Sequence, residues 1–251
     1  MSAGDPLEGS GRGARGDGSV PPENESGAAG TGAPENRGPH REDPGGGVVG
    51  VVLAAGGSSR MGRPKQLAEL AGRPLLEHTL AALASPREDR RPLDRVLLAL
   101  GSGADQVLRQ VDLHGAIPVT VGSWAQGMGH VLATVVARHA RGCDALVVLL
   151  GDQPLVGAEV VARLVAAWRA GAGPVVGAAY HGRPGNPKLF DRSVLGELTR
   201  LRGDSGAREL LAAHPGWVHT VEVGDLGDDA DVDDEEGLAR VRLAVTAGRR
   251  S

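Results

Sequence analysis

The stretch Val48-Val49-Gly50-Val51-Val52-Leu53-Ala54 runs directly into Ala55-Gly56-Gly57-Ser58-Ser59-Arg60-Met61-Gly62-Arg63-Pro64-Lys65. Its first seven residues are aliphatic or glycine, mostly β-branched, and show no polar alternation. That pattern predicts a strand buried on both faces, as in a parallel sheet covered by helices. The segment from Gly56 to Lys65 is polar and glycine-rich, so the strand hands its carboxyl end straight to a loop. In an open α/β sheet, ligands bind at that edge. Adjacent glycines permit positive φ and let backbone N–H groups come close to an anion. Ser58 and Ser59 add hydroxyl donors, while Arg60 and Lys65 add two cations, one forked and one compact. These are the parts of a triphosphate cradle; a glycine-rich turn with solvent-facing charges is the alternative.

Outward from this junction the texture repeats. Short Val- and Leu-rich runs recur at Arg95–Leu100, Ile117–Val121, Ala145–Leu150, Pro174–Tyr180 and Trp217–Val223. Between or after them lie helical patterns at Leu75–Ala84, Ala104–Leu113, Gly129–His139, Ala158–Ala170, Ser193–Leu201, Gly206–Ala213 and Glu235–Val245. Val160, Leu164, Val165 and Trp168 show the one-sided spacing of a helix packed on a sheet. Alternation of strands and helices predicts an α/β domain with a mostly parallel sheet and right-handed crossovers. No internal repeat and no second linker interrupts it, so residues 48–247 are expected to form one domain.

Residues 1–47 differ. They hold 13 glycines, six prolines, eight acids and four basic residues, with only Met1, Leu7 and Val20 as sizeable hydrophobes. Such a segment buries too little apolar area to offset its ordering entropy, and it is expected to be a disordered tail. The tail carries the whole net charge of −4, so residues 48–251 are neutral overall and any anion site must be built locally. An acidic balance and only five aromatic residues argue against a nucleic-acid binder. A single cysteine, Cys143, excludes an intramolecular disulfide framework and a cysteine-based zinc cluster. No apolar run is long enough to span a membrane, and no apolar segment of a secretory signal comes after Met1. A cytoplasmic protein is the expectation.

Two known phosphate-binding patterns fail on spacing. A Walker A loop needs Lys and a hydroxyl residue after its last glycine, where Arg63 and Pro64 stand. No G-x-G-x-x-G triplet occurs in the loop. The segment instead resembles the signature L-A-A-G-x-S-x-R-M-G-x-x-K of the MobA-like nucleotidyltransferases, through Leu53-Ala54-Ala55-Gly56, Ser58, Arg60-Met61-Gly62 and Lys65. Leu67 and Gly72-Arg73-Pro74-Leu75 extend the likeness, which is strongest to the molybdenum cofactor cytidylyltransferases. The resemblance implies a Rossmann-like three-layer nucleotidyltransferase fold. It implies that Leu53, Ala54, Ala55, Gly56, Gly57 and Ser58 wrap a nucleoside triphosphate, with Arg60 and Lys65 on its phosphates. The A-A-G form of the loop implies CTP.

Ala145–Leu150 ends in Gly151-Asp152-Gln153-Pro154. A carboxylate at a strand tip, stiffened by proline, suits a magnesium ion that takes one or two carboxylates plus phosphate oxygens. Ordinary turn chemistry is the alternative. G-D-x-P is the second signature of the resembled family, and it assigns Asp152 to the metal. The family pattern D-x-D-T-P-E-D-L corresponds here to Asp231-Val232-Asp233-Asp234-Glu235-Glu236-Gly237-Leu238, which makes Asp233 the second expected ligand and leaves Asp231 as its rival.

Three further segments resemble the family more loosely. They suggest an acceptor side built from Gly127 (in Gly127-Met128-Gly129), Asn186 (in Gly185-Asn186-Pro187-Lys188-Leu189-Phe190), and Asp204 and Arg208 (in Gly203-Asp204-Ser205-Gly206-Ala207-Arg208). Asp204 could instead cap the next helix. The function implied is transfer of CMP from CTP to the phosphate of molybdopterin, with Mg2+, release of pyrophosphate, and catalytic roles for Arg60, Lys65 and Asp152. A molybdoenzyme that receives the cofactor would be a protein partner. The alternatives are transfer to another phosphorylated small molecule, or a non-catalytic carrier or chaperone of the molybdenum cofactor.

Overall fold

The computed structural model describes residues 46–56, 64–84 and 92–248, all within one compact unit spanning 42–251. In chain order it has β1 (Val48–Ala54), β2 (Glu69–Leu70), β3 (Arg73–Pro74), α1 (Leu75–Leu83), β4 (Arg95–Leu100), α2 (Ala104–Gln110), β5 (Ile117–Thr120) and α3 (Met128–His139). Then come β6 (Ala145–Leu150), α4 (Ala158–Arg169), β7 (Val175–Tyr180), β8 (Arg183–Asp191), α5 (Leu195–Leu198), α6 (Arg208–Ala213), β9 (Val218–Glu222) and α7 (Glu235–Gly248). Seven strands form one sheet in the order β5-β4-β1-β6-β8-β7-β9, and β2 and β3 make a separate small ribbon.

Strand β1 is central and parallel to both neighbours, β4 and β6. All seven of its residues are buried, and alternate side chains feed opposite layers. Val48, Val52 and Ala54 pack with Leu76, Leu80, Val107, Leu164 and Val165, from α1, α2 and α4. Val49, Val51 and Leu53 pack with Val131, Leu132, Val135 and Leu198, from α3 and α5. This is the expected α/β three-layer arrangement, with a strand that needs no polar face because helices cover both sides.

The expected strands and most expected helices form within a few residues of their predicted ends. The region Ser193–Leu201 is an exception, holding only one short helix, α5, after a 3₁₀ turn. Strand β8 is absent from the sequence reading. It runs antiparallel between β6 and β7, pairing Val148 with Lys188 and Val176 with Leu189. Arg183-Pro184-Gly185-Asn186-Pro187 reads as turn sequence, and the hydrogen-bonding opportunities of two flanking strands override that local preference.

Of the expected tail, only Gly46 and Gly47 are among the described residues. Their N–H groups donate to Gly142 O at 2.9 Å and Asp144 Oδ2 at 2.8 Å. No helix among the described residues is long and apolar enough to cross a membrane.

A third, smaller core sits at the ligand edge. Val232, Leu238 and Val241 pack on Ala68, Leu70 and Leu75. It fastens α7 and the acidic segment before it to the turn that carries Lys65.

Candidate active site

The carboxyl ends of β1 and β6 lie side by side, with Leu53 opposite Leu150 and Gly151 N donating to Leu53 O at 3.0 Å. Asp152 is therefore held next to the Ala54-Ala55-Gly56 loop by the sheet itself. Lys65 begins a short 3₁₀ turn, Lys65–Leu67. The next residue, Gln66, is buried and donates from Nε2 to Ala54 O at 2.8 Å, which ties that turn to the end of β1. Gln66 carries no signal in the sequence, because a buried amide that donates to a strand-end carbonyl has only weak local signature.

The Lys65 ammonium lies 2.5 Å from Asp152 Oδ2 and 2.9 Å from Asp233 Oδ1. Three residues from three distant parts of the chain thus converge. The geometry that brings Asp233 there is visible in its neighbour. Val232 N donates to Asp152 O at 3.0 Å, and its side chain is fully buried in the third core. With Val232 turned inward, Asp231 and Asp233 flank it on the cleft side, as alternate residues of an extended segment do. Asp233 meets Lys65, whereas Asp231 borders a second pocket.

Electrostatics here pull in opposite directions. Burial works against the Lys65 ammonium, but Asp152 and Asp233 outweigh it and hold its pKa above the ordinary lysine value. Burial also pushes the Asp152 carboxyl up, and Lys65 offsets this only in part. Both shifts point upward because the ammonium has two carboxylates, while the more deeply buried Asp152 has to share one ammonium. Asp152 Oδ1 is buried and has no hydrogen-bond partner among the described residues. An acidic pair with one unsatisfied hard oxygen fits a divalent cation that fills its remaining positions with phosphate oxygens and water. No cluster of three or more acidic, His or Cys side chains suited to a metal exists among the described residues, so the protein's share would be these two carboxylates.

Beside this triad lies a cavity of about 290 Å³. Leu53, Ala54, Ala55, Gly56, Lys65 and Asp152 line it on the β1–β6 side, and Trp124, Gly127, Met128 and Asp204 face them. Gly57, Ser58 and Arg60, also expected at the nucleotide, lie outside the described residues. Gly127 has φ +102°, and a Cβ there would collide with the backbone of Gly203, so only glycine fits. The Asp204 carboxylate accepts from Met128 N at 3.3 Å and Gly203 O accepts from Gly129 N at 2.8 Å. Asp204 therefore serves the start of α3, not the helix next to it in sequence.

The four expected acceptor residues do not share one wall. Gly127 and Asp204 border the first cavity, while Asn186 and Arg208 line a second pocket of about 630 Å³. The two spaces share Leu150, directly before Gly151 and Asp152. The second pocket also contains Arg183, Lys188, Gln153 and the carboxylates of Asp228, Asp229 and Asp231. Lys188 went unremarked in the sequence because its position in the resembled motif is variable.

Comparison with known proteins agrees with this fold. The nicotine blue oxidoreductase of Paenarthrobacter nicotinovorans is 31% identical over 204 residues, covering 77% of this chain and 96% of that protein. The crystal structure of a Mycobacterium tuberculosis Rv0371c homologue from Mycobacterium sp. strain JC1 superposes with a TM-score of 0.68 at 34% identity, covering 80% of this chain and 97% of that one. Rv0371c of M. tuberculosis H37Rv in complex with manganese superposes with a TM-score of 0.64 at 30% identity, covering 79% and 99%. The pattern of the MobA-like NTP transferase domain matches residues 50–218, ending before the segment that carries Asp233. From its sheet edge to its sequence signature, this chain belongs to the MobA-like NTP transferase family.

Proposed function

We propose that the protein transfers CMP from CTP to the phosphate of molybdopterin and releases pyrophosphate. Nucleotidyl transfer from an NTP is the coarse activity of its family; CTP and molybdopterin are the finer reading, drawn from the likeness of the Leu53–Lys65 and Gly151–Pro154 segments to the molybdenum cofactor cytidylyltransferases. The observation that carries the proposal is the convergence of Lys65, Asp152 and Asp233 beside the cavity lined by Leu53–Gly56. One relative has an oxidoreductase name. A cation between two carboxylates at the carboxyl end of β1 and β6 favours phosphoryl chemistry.

In this reading the nucleoside occupies the first cavity, with Leu53, Ala54, Ala55, Gly56, Gly57 and Ser58 around it and Gly127 and Asp204 opposite. Arg60 and Lys65 hold the phosphates. The acceptor occupies the second pocket, against Asn186 and Arg208. An oxygen of the acceptor phosphate attacks the α-phosphorus, a new P–O bond forms, and the bond to the bridging oxygen breaks, so pyrophosphate leaves with that electron pair. The attacking oxygen is already anionic, and no general base is needed. Lys65 and Arg60 offset the charge that develops on the equatorial and leaving oxygens, and the rigid strand ends keep the reactants aligned. Asp152 and Asp233 would hold a divalent ion, Mg2+ in our proposal, which when bound neutralises phosphate charge and orients the triphosphate.

The test is incubation with each of the four NTPs, magnesium and molybdopterin while pyrophosphate release is monitored. CTP with molybdopterin should support turnover. Release with a different phosphorylated acceptor would retain the transferase and replace molybdopterin; binding without release would leave a carrier.

A further inference from the structure

The second pocket has two chemically opposed walls. Strand β8 contributes Arg183, Asn186 and Lys188, and Arg208 joins them from the start of α6. The segment before α7 contributes Asp228, Asp229 and Asp231. The walls come together at Gly185, where a Cβ would collide with the Asp229 carboxylate.

Lys188 organises the basic wall. It sits at the centre of the sheet, opposite Val148 of β6 and Gly177 of β7. Its Nζ donates to Gly185 O at 2.7 Å and to Asn186 Oδ1 at 3.1 Å. An ammonium has three donors and no acceptor, so the amide atom that faces it has to be oxygen. That contact fixes the orientation of the Asn186 amide and leaves its NH₂ group as the part offered to a ligand. The third Nζ donor has no partner among the described residues, and no ion pair joins Lys188 to a carboxylate there. Burial, with Arg208 adding to it, pushes the Lys188 pKa below the ordinary lysine value despite Asp229 nearby. An ammonium so placed gains from an added anion.

We propose that Lys188 is a positioning residue that turns the β8 wall into a donor-only surface for the oxyanion of the acceptor, with the Asp228–Asp231 wall selecting N–H or O–H donors on the acceptor's body. The acceptor class is then a phosphomonoester with hydrogen-bond donors at its other end. A prenyl or acyl phosphate leaves the acidic wall without partners, and burying unpaired carboxylates is costly. That the anion is an acceptor rests on the transferase reading above, but the anion site itself does not depend on it.

Inorganic phosphate is the probe, titrated into the full chain and monitored by ³¹P NMR, with a non-hydrolysable CTP analogue titrated separately. Lys188→Met should weaken phosphate at least about tenfold, the scale of losing a charge-assisted hydrogen bond, and leave the affinity for the CTP analogue unchanged. Asn186→Asp guards against a folding defect, because its carboxylate keeps the Lys188 contact yet places negative charge on the wall; it too should weaken phosphate about tenfold or more. Phosphate binding that survives both substitutions overturns the assignment. So does binding lost in Lys65→Met but retained in Lys188→Met, which puts the anion at the nucleotide loop. Absence of pyrophosphate release with molybdopterin would sink the proposed reaction and leave this titration readable.

Discussion

Replacing Asp152 by Asn separates catalysis from stability at the centre of the proposed site. The carboxylate is 2.5 Å from the Lys65 ammonium, and its side chain is only 16% exposed. A unit charge about 3 Å from a cation, at an effective dielectric near 20, interacts by about 5 kcal/mol. The carboxamide retains the shape and one acceptor oxygen, which recovers part of that. A loss of about 3–5 kcal/mol of transition-state stabilisation corresponds to a fall in turnover of about two to four orders of magnitude. Stability should move the other way. Burial raises the Asp152 pKa, and a group with a raised folded-state pKa contributes stability that is fully present below its unfolded value of 3.8 and lost as pH rises through the folded value. At neutral pH ionised Asp152 is thus a net cost, and Asp152→Asn should leave the melting temperature unchanged or raise it. The assay pairs pyrophosphate release from CTP with thermal unfolding measured without metal. Full activity in Asp152→Asn with magnesium still required would refute the metal site. A large drop in melting temperature would instead show that Asp152 is a structural anchor.

Asp233→Asn should cut turnover about a hundredfold while costing about 1 kcal/mol or less, because the Asp233 side chain is 45% exposed and its pair with Lys65 is largely screened. Asp231→Asn should stay within about tenfold of the parent; the reverse ranking in a side-by-side rate measurement would exchange their roles. Gly127→Ala forces a Cβ against Gly203 at φ +102° and should destabilise by about 2–4 kcal/mol in denaturant unfolding, a figure near zero meaning that the α3 junction can open. The raised Lys65 pKa predicts stability that is fully present below 10.5 and lost as pH climbs through the higher folded value. Lys65→Met should abolish that part of the alkaline decline in melting temperature. Deleting residues 1–45 should leave both the cooperative melt and turnover intact, and loss of the melt would show that the segment packs on the domain.

The aliphatic runs at Val48–Ala54 and Ala145–Leu150 were legible as doubly buried strands because their composition permits little else. A glycine-rich loop and Gly151-Asp152 at the ends of such strands mark the ligand edge by local chemistry alone. Strand β8 was illegible for the opposite reason. Its prolines, glycine and asparagine favour turns, and only the unpaired edges of β6 and β7 make extension the better state for it. The same holds within the site. The altered C-terminal motif puts Asp233 forward as the second ligand and keeps Asp231 as its rival, since an acidic run offers several carboxylates at close spacing. Tertiary structure separates the two: with Val232 buried and bonded to Asp152 between them, Asp233 meets Lys65 and Asp231 borders the second pocket. Residue types decide which groups can hold phosphate or metal. Which of those groups share a space is decided by side-chain packing and backbone pairing between segments remote in the chain, and no local pattern records that.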